Sequence, residues 1–150
     1  MFEHYSEHAQ SVLERARQEA QKLRHDHIGT EHILLGLIEV KDGCAASVLS
    51  QLNVDLPHVK EQVKQLVRHG SGPEDGNYET LPFTRHSQNV LKDAVQEARY
   101  LKHATIGSEH LLLGLLYENE GTGAQVLRNM GLKLEEVRKS VLHVLKRDGY

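Results

Sequence analysis

The run Ile28-Gly29-Thr30-Glu31-His32-Ile33-Leu34-Leu35-Gly36-Leu37 returns 78 positions later as Ile106-Gly107-Ser108-Glu109-His110-Leu111-Leu112-Leu113-Gly114-Leu115. Working outward, the same offset places Tyr5 on Phe83 and Val67 on Leu145 without a gap. About 25 of the 63 aligned pairs are identical, which marks a duplicated structural unit. One domain over residues 1–150 follows, with repeat one at 5–68, a linker at 69–82 and repeat two at 83–146. The linker sequence GSGPEDGNYETLP is made of turn formers that do not propagate a helix.

Each copy reads as four helices. Val12, Leu13, Ala16, Ala20 and Leu23 form a stripe at three- and four-residue spacing after Ser6, and Val90, Leu91, Ala94, Ala98 and Leu101 repeat it after Thr84. Ser6 and Thr84 stand where an N-cap hydroxyl accepts a first-turn N–H. The second helix starts at Thr30 or Ser108, again expected as N-caps, and is apolar on nearly every side, so it should form the buried centre. Third helices are expected over Cys44 to Leu52 and Thr122 to Met130, and fourth helices over Leu56 to Val67 and Leu134 to Leu145. Pro57 suits the first turn, where its missing N–H is harmless. Strand patterning is absent. The fold class is all-α: two tandem four-helix repeats packed about a pseudo-two-fold axis.

Composition narrows the function. Apolar residues make up 39% and charged residues 26%, enough for a core, and the formal charge of -3 gives no field to attract nucleic acid or an anionic membrane. Met1 to His4 lack the blocks of a secretory signal, and the longest apolar run, Ile33 to Val40, is too short to span a bilayer. The single Cys44 forms no intrachain disulfide, so a cytoplasmic setting is expected.

The paired signature L-x-H-x-x-I-G-[TS]-E-H-[IL]-L-L-G-L, at Leu23 to Leu37 and Leu101 to Leu115, resembles the N-terminal domain of Clp-family unfoldases, the ClpC branch most closely. The pattern [FY]-[ST]-x-x-[AS]-Q-x-V-L at Tyr5 to Leu13 and Phe83 to Leu91 extends the likeness over nearly the whole chain. The resemblance implies a recognition domain that binds adaptor proteins or protein substrates. It delivers them to a hexameric AAA+ unfoldase feeding the ClpP peptidase, and in some ClpC members it reads phosphorylated arginine. Its site residues carry over as Ser6 with Glu31 and Thr84 with Glu109. Arg85 beside Thr84 makes the second site the more basic and the stronger one expected, whereas His4 and Glu3 precede Ser6. ATP and Mg would belong to the parent ATPase modules, no cofactor to this chain, and the isolated domain should be a monomer. The end just after repeat two is where a boundary to such a module is expected.

The residues also admit plainer readings. Glu31 and Glu109, as acids in a first helical turn, favour the helix dipole without a ligand; Ser6 and Thr84 are caps in any case. His25, His27 and His32, with His103 and His110, raise a metal site, but HExxH and cysteine partners are missing, so none is assigned. The recurrence of His25/His103 and His32/His110 points to packing or hydrogen bonding. No Walker A, GxSxG or activated cysteine occurs, so no catalytic residue is expected. Gly36 and Gly114 inside helices point to close helix–helix approach. Two alternatives stand beside the leading reading: a free-standing Clp N-domain protein that modulates a Clp complex, and a small His-rich metal-dependent or hydrolytic helical enzyme.

Overall fold

A computed structural model describes residues 4–73, 76 and 78–147. Expectations resting on Met1 to Glu3, on Glu74, Asp75 and Asn77 of the linker, and on the end at 148–150 lie outside the described residues. The described residues form α1 (Glu7–Lys22), α2 (Thr30–Glu39), α3 (Cys44–Gln51), α4 (Leu56–Leu66), α5 (Arg85–Tyr100), α6 (Ser108–Glu118), α7 (Thr122–Asn129) and α8 (Leu134–Arg147). The fold is all-α, eight helices in two repeats, as the duplication implied. No helix among them is long and apolar enough to cross a membrane.

The helix starts follow local chemistry. Ser6 Oγ accepts the Ala9 N–H at 3.1 Å, and Thr84 Oγ1 accepts the Ser87 N–H at 3.1 Å. Asp55 caps α4 by accepting the His58 N–H, with Pro57 in the first turn. Thr30 and Ser108 depart from expectation. The capping positions are Gly29 and Gly107, one residue earlier, and both hydroxyls reach into the opposite repeat. Thr30 Oγ1 accepts the Gly123 N–H at 2.9 Å, and Ser108 Oγ accepts the Ala45 N–H at 3.1 Å. These are first-turn amides of α7 and α3, which begin at glycines with no capping side chain of their own.

At the centre, α2 and α6 bury Ile33, Leu34, Leu37, Leu111, Leu112, Leu113 and Leu115 almost completely. Each such side chain contributes roughly 1.5–3 kcal/mol. Gly36 and Gly114 let these helices touch α1 and α5: a Cβ on Gly36 would lie 2.5 Å from the Val12 carbonyl oxygen, and one on Gly114 2.6 Å from that of Val90. Contacts between repeats come in matched pairs. Ser6 N–H donates to Ile106 O and Thr84 N–H to Ile28 O; Ile106 N–H donates to His4 O and Ile28 N–H to Pro82 O. This reciprocity is what a pseudo-two-fold axis requires.

Candidate functional site

The I-G-[TS]-E-H motif builds each helix start twice over. His32 Nδ1 accepts the Gly29 N–H at 2.8 Å, and His110 Nδ1 accepts the Gly107 N–H at the same distance. A ring nitrogen that accepts carries no proton, so the opposite nitrogen, Nε2, must carry it. That proton points at a second imidazole: His32 Nε2 lies 2.8 Å from His25 Nδ1, and His110 Nε2 lies 2.8 Å from His103 Nδ1. In repeat one His25 Nε2 then donates to Arg68 O at 2.7 Å, completing a directed chain of hydrogen bonds. Burial, with smaller contributions from neighbouring histidines, holds His32 down to about 3 and His110 down to about 4. The recurring histidines therefore have the hydrogen-bonding task that their spacing suggested.

The same tautomers argue against metal ligation. His25, Glu31 and His32 bring ligand atoms within 4.8 Å of one another, as do His103, Glu109 and His110. To bind a cation through Nε2, His32 or His110 would have to move its proton to Nδ1, where it would face the N–H of Gly29 or Gly107. A third group, His86, Glu118 and Glu120, has Glu118 already accepting from His86 and from the backbone N–H groups of Glu120 and Gly121.

Glu31 and Glu109 fold back over the glycine that precedes their helix. A Cβ on Gly29 or Gly107 would displace the Glu31 or Glu109 carboxylate from its present seat over the helix start. Burial pushes the Glu109 carboxyl above the ordinary carboxylate range; its own backbone N–H, His103 and His8 oppose that shift.

The resemblance carries over Ser6 with Glu31 and Thr84 with Glu109, one pair per repeat, whereas the described residues bring Ser6 to Glu109. Ser6 and Glu109 line a single cavity of about 540 Å³, and the Ser6 N–H bonds Ile106 just ahead of Glu109. Thr84 correspondingly bonds Ile28, just ahead of Glu31, and Arg85 is the exposed first residue of α5. The physical reason is that the chain before α1 and α5 pairs with the opposite repeat, at the isolated bridges Tyr5–Ile106 and Ile28–Phe83.

Three helix starts converge on this cavity: α1 at Ser6, α3 at Gly43 and Cys44, and α6 at Gly107 and Glu109. Their amide ends favour anions. Lys102 adds a cationic wall beside the His103 imidazole, and His8 faces Asp42 at 3.2 Å. The cavity thus offers an anion-friendly side and, at Glu109 and Asp42, a carboxylate side. Sequence reasoning missed His8, Asp42 and Lys102. The recurrence of His8 as His86 was the available signal. A larger, shallower groove of about 850 Å³ runs along α1 past Leu81 and Phe83. Its two arginines are already engaged, Arg17 on Glu14 and the Tyr78 carbonyl and Arg15 beside Glu39 at 3.7 Å, so the smaller cavity is the better site.

Residues 4–99 and 82–148 each match the family described as Clp repeat (R) N-terminal domain. The chain is 40% identical over 145 residues to the chaperone protein ClpB of Oceanobacillus iheyensis and 41% identical to the negative regulator of genetic competence ClpC/MecB of Bacillus subtilis. A ClpA homolog of Guillardia theta, an ATP-dependent Clp protease ATP-binding subunit, is 43% identical. Each alignment takes in 97% of this chain and 17% of the relative. Among solved structures, the N-terminal domain of the chaperone ClpD from Arabidopsis thaliana superposes with a TM-score of 0.77 at 22% identity, covering 97% of both chains. The Hsp104 N-terminal domain from Candida albicans gives 0.73 at 13% identity, covering 98% of this chain and 93% of that one. At these identities the two structures speak for the fold alone.

Proposed function

This chain belongs to the Clp repeat N-terminal domain family, and from that membership we propose that it recognises adaptor proteins and protein substrates for a ClpC-like ATP-dependent unfoldase, gripping arginine-phosphorylated segments at the Ser6–Glu109 cavity. The chain spans about 17% of the length of the curated relatives it matches. ATP hydrolysis with Mg, and the partnership with the ClpP peptidase, are accordingly assigned to modules beyond this domain. ClpB, ClpC and ClpA relatives are similar to nearly the same degree, so the choice of the ClpC branch rests on the site chemistry.

The observation that carries the reading is the meeting of unlike charges in one cavity. A phosphoarginine ends in a phosphoryl group bonded directly to a guanidinium. The phosphoryl oxygens suit the α1 start, the Ser6 hydroxyl and Lys102; the guanidinium nitrogens suit the Glu109 carboxylate through charge-assisted hydrogen bonds. Ser6 Oγ accepts from Ala9 but still has its own proton to donate. No step makes or breaks a covalent bond, in keeping with a domain that binds and passes on its cargo.

Isothermal titration of free phosphoarginine into the folded chain tests this, with arginine and inorganic phosphate as controls. Saturable heat for phosphoarginine alone is expected. The absence of heat and of NMR shift changes at Ser6, Lys102 and Glu109 at millimolar ligand would remove the proposal.

A further inference from the structure

The duplication places a counterpart of the cavity at Thr84, Arg24, His25 and Glu31, and this twin is built differently. After α4 the chain does not stay helical. Val67 is extended, and the next residues run back across the end of α1. Gly70 N–H donates to Leu23 O, Gly72 N–H donates to Arg24 O, and Arg24 Nε donates to Gly72 O. His25 Nε2 donates to Arg68 O. The fit is tight enough that a Cβ on Gly70 would collide with the Arg24 carbonyl. Arg24 and His25 are the counterparts of Lys102 and His103, which wall the open cavity. In repeat two α8 continues through Arg147 at the corresponding position, and His103 remains part of the cavity lining.

A second difference is independent of the strap. Thr84 donates its hydroxyl proton to Ser87 Oγ at 3.0 Å, and Ser87 passes its own to Ile28 O. Alanine stands at the matching position, Ala9, so Ser6 keeps its proton for a ligand. Glu31 and His25 are buried, whereas Glu109 and His103 are only partly so.

We infer that only one of the two pseudo-equivalent sites is open: the Ser6–Glu109 cavity takes a guanidinium–phosphate ligand, and the segment Arg68–Gly72 straps its twin shut. This rests on the phosphoarginine reading above. It reverses the preference for the Thr84–Arg85 site drawn from local basicity, because the strap and the spent hydroxyl act on that site.

The test is calorimetric stoichiometry with free phosphoarginine on the full chain, folding being checked by circular dichroism. One ligand per chain is expected. Glu109→Ala should weaken binding about tenfold or more, the loss of a charge-assisted pair, while Glu31→Ala leaves the affinity unchanged. In a Glu109→Ala background, Gly70→Ala together with Ser87→Ala should displace the strap, free the Thr84 hydroxyl and restore binding at the twin. Two equivalent sites in the unaltered chain, or equal losses from the two glutamate variants, would overturn the inference while leaving the function intact. No binding at all would overturn both.

Discussion

Ser108 Oγ accepts the N–H of Ala45 at 3.1 Å, so a residue of the second repeat caps a helix of the first, and Thr30 repays the contact at Gly123. Neither α3 nor α7 can cap itself, since Gly43 and Gly121 precede them. A Cβ on either glycine would press on the incoming hydroxyl. The repeats are thereby stitched by polar bonds as well as by the α2–α6 core.

Thr30→Val keeps the shape of the side chain and removes the acceptor, leaving the Gly123 N–H buried without a partner. The expected cost is about 1–2 kcal/mol in denaturant unfolding. Amide exchange should accelerate at Gly123, in the repeat that was not altered. If protection falls only within residues 5–68, the cross-repeat cap is not contributing.

Gly36→Ala gains about 1 kcal/mol of helix propensity but forces a methyl onto the Val12 carbonyl, which as backbone cannot swing aside. Overpacking of this kind costs about 1–3 kcal/mol, so a net loss is expected, with a fall of a few degrees in Tm. Gly114→Ala should behave alike against Val90. A rise in Tm in either variant would contradict the close approach.

Acid should destabilise the fold through two histidines. His32 and His110 titrate near 3 and 4 when folded, against an ordinary value of 6.5. Below about pH 6.5 the unfolded chain therefore binds protons that the native state refuses. Stability drops by about 1.4 kcal/mol per histidine for each pH unit until the folded value is reached. Urea midpoints between pH 7 and 4 measure this. The paired variant His32→Gln/His110→Gln should flatten the slope, whatever its overall stability.

Glu39 acts in the opposite sense. Burial, with Glu19 against it, raises its carboxyl to about 7, and Glu19 is itself buried with Oε1 unpaired. Its contribution is greatest below the ordinary carboxylate value and is lost as pH rises to about 7. Glu39→Gln should stabilise the chain at pH 8 and change little at pH 4, where the native acid is already protonated. Equal effects at both pH values would contradict a Glu39 carboxyl raised by burial and by Glu19.

The helices were legible because their signals are local: caps at Ser6 and Thr84, a stripe every three or four residues, and a near-continuous apolar run for α2 and α6. Gly36 and Gly114 could also be read, since a glycine inside so apolar a helix has few other uses. Who faces whom across the repeats was not legible. The resemblance sets Ser6 with Glu31 inside one repeat. The parallel pairing at Tyr5–Ile106 that takes Ser6 to Glu109 depends on packing between distant segments. Thr30 and Ser108 were misread for the same reason, as their hydroxyls are used by the other copy. The tautomer chain through His25 and His32 needed coordinates, though the recurrence of both histidines had marked the spot.

The crossing of Ser6 with Glu109 means that neither half of the duplication holds the proposed binding cavity by itself. A lone four-helix unit would have its helix start and its acid facing empty solvent, and could rebuild the cavity only by finding a second copy of itself. Fusing two units into one chain makes that encounter permanent. It also frees the two seats to diverge, one left accessible and the other closed off.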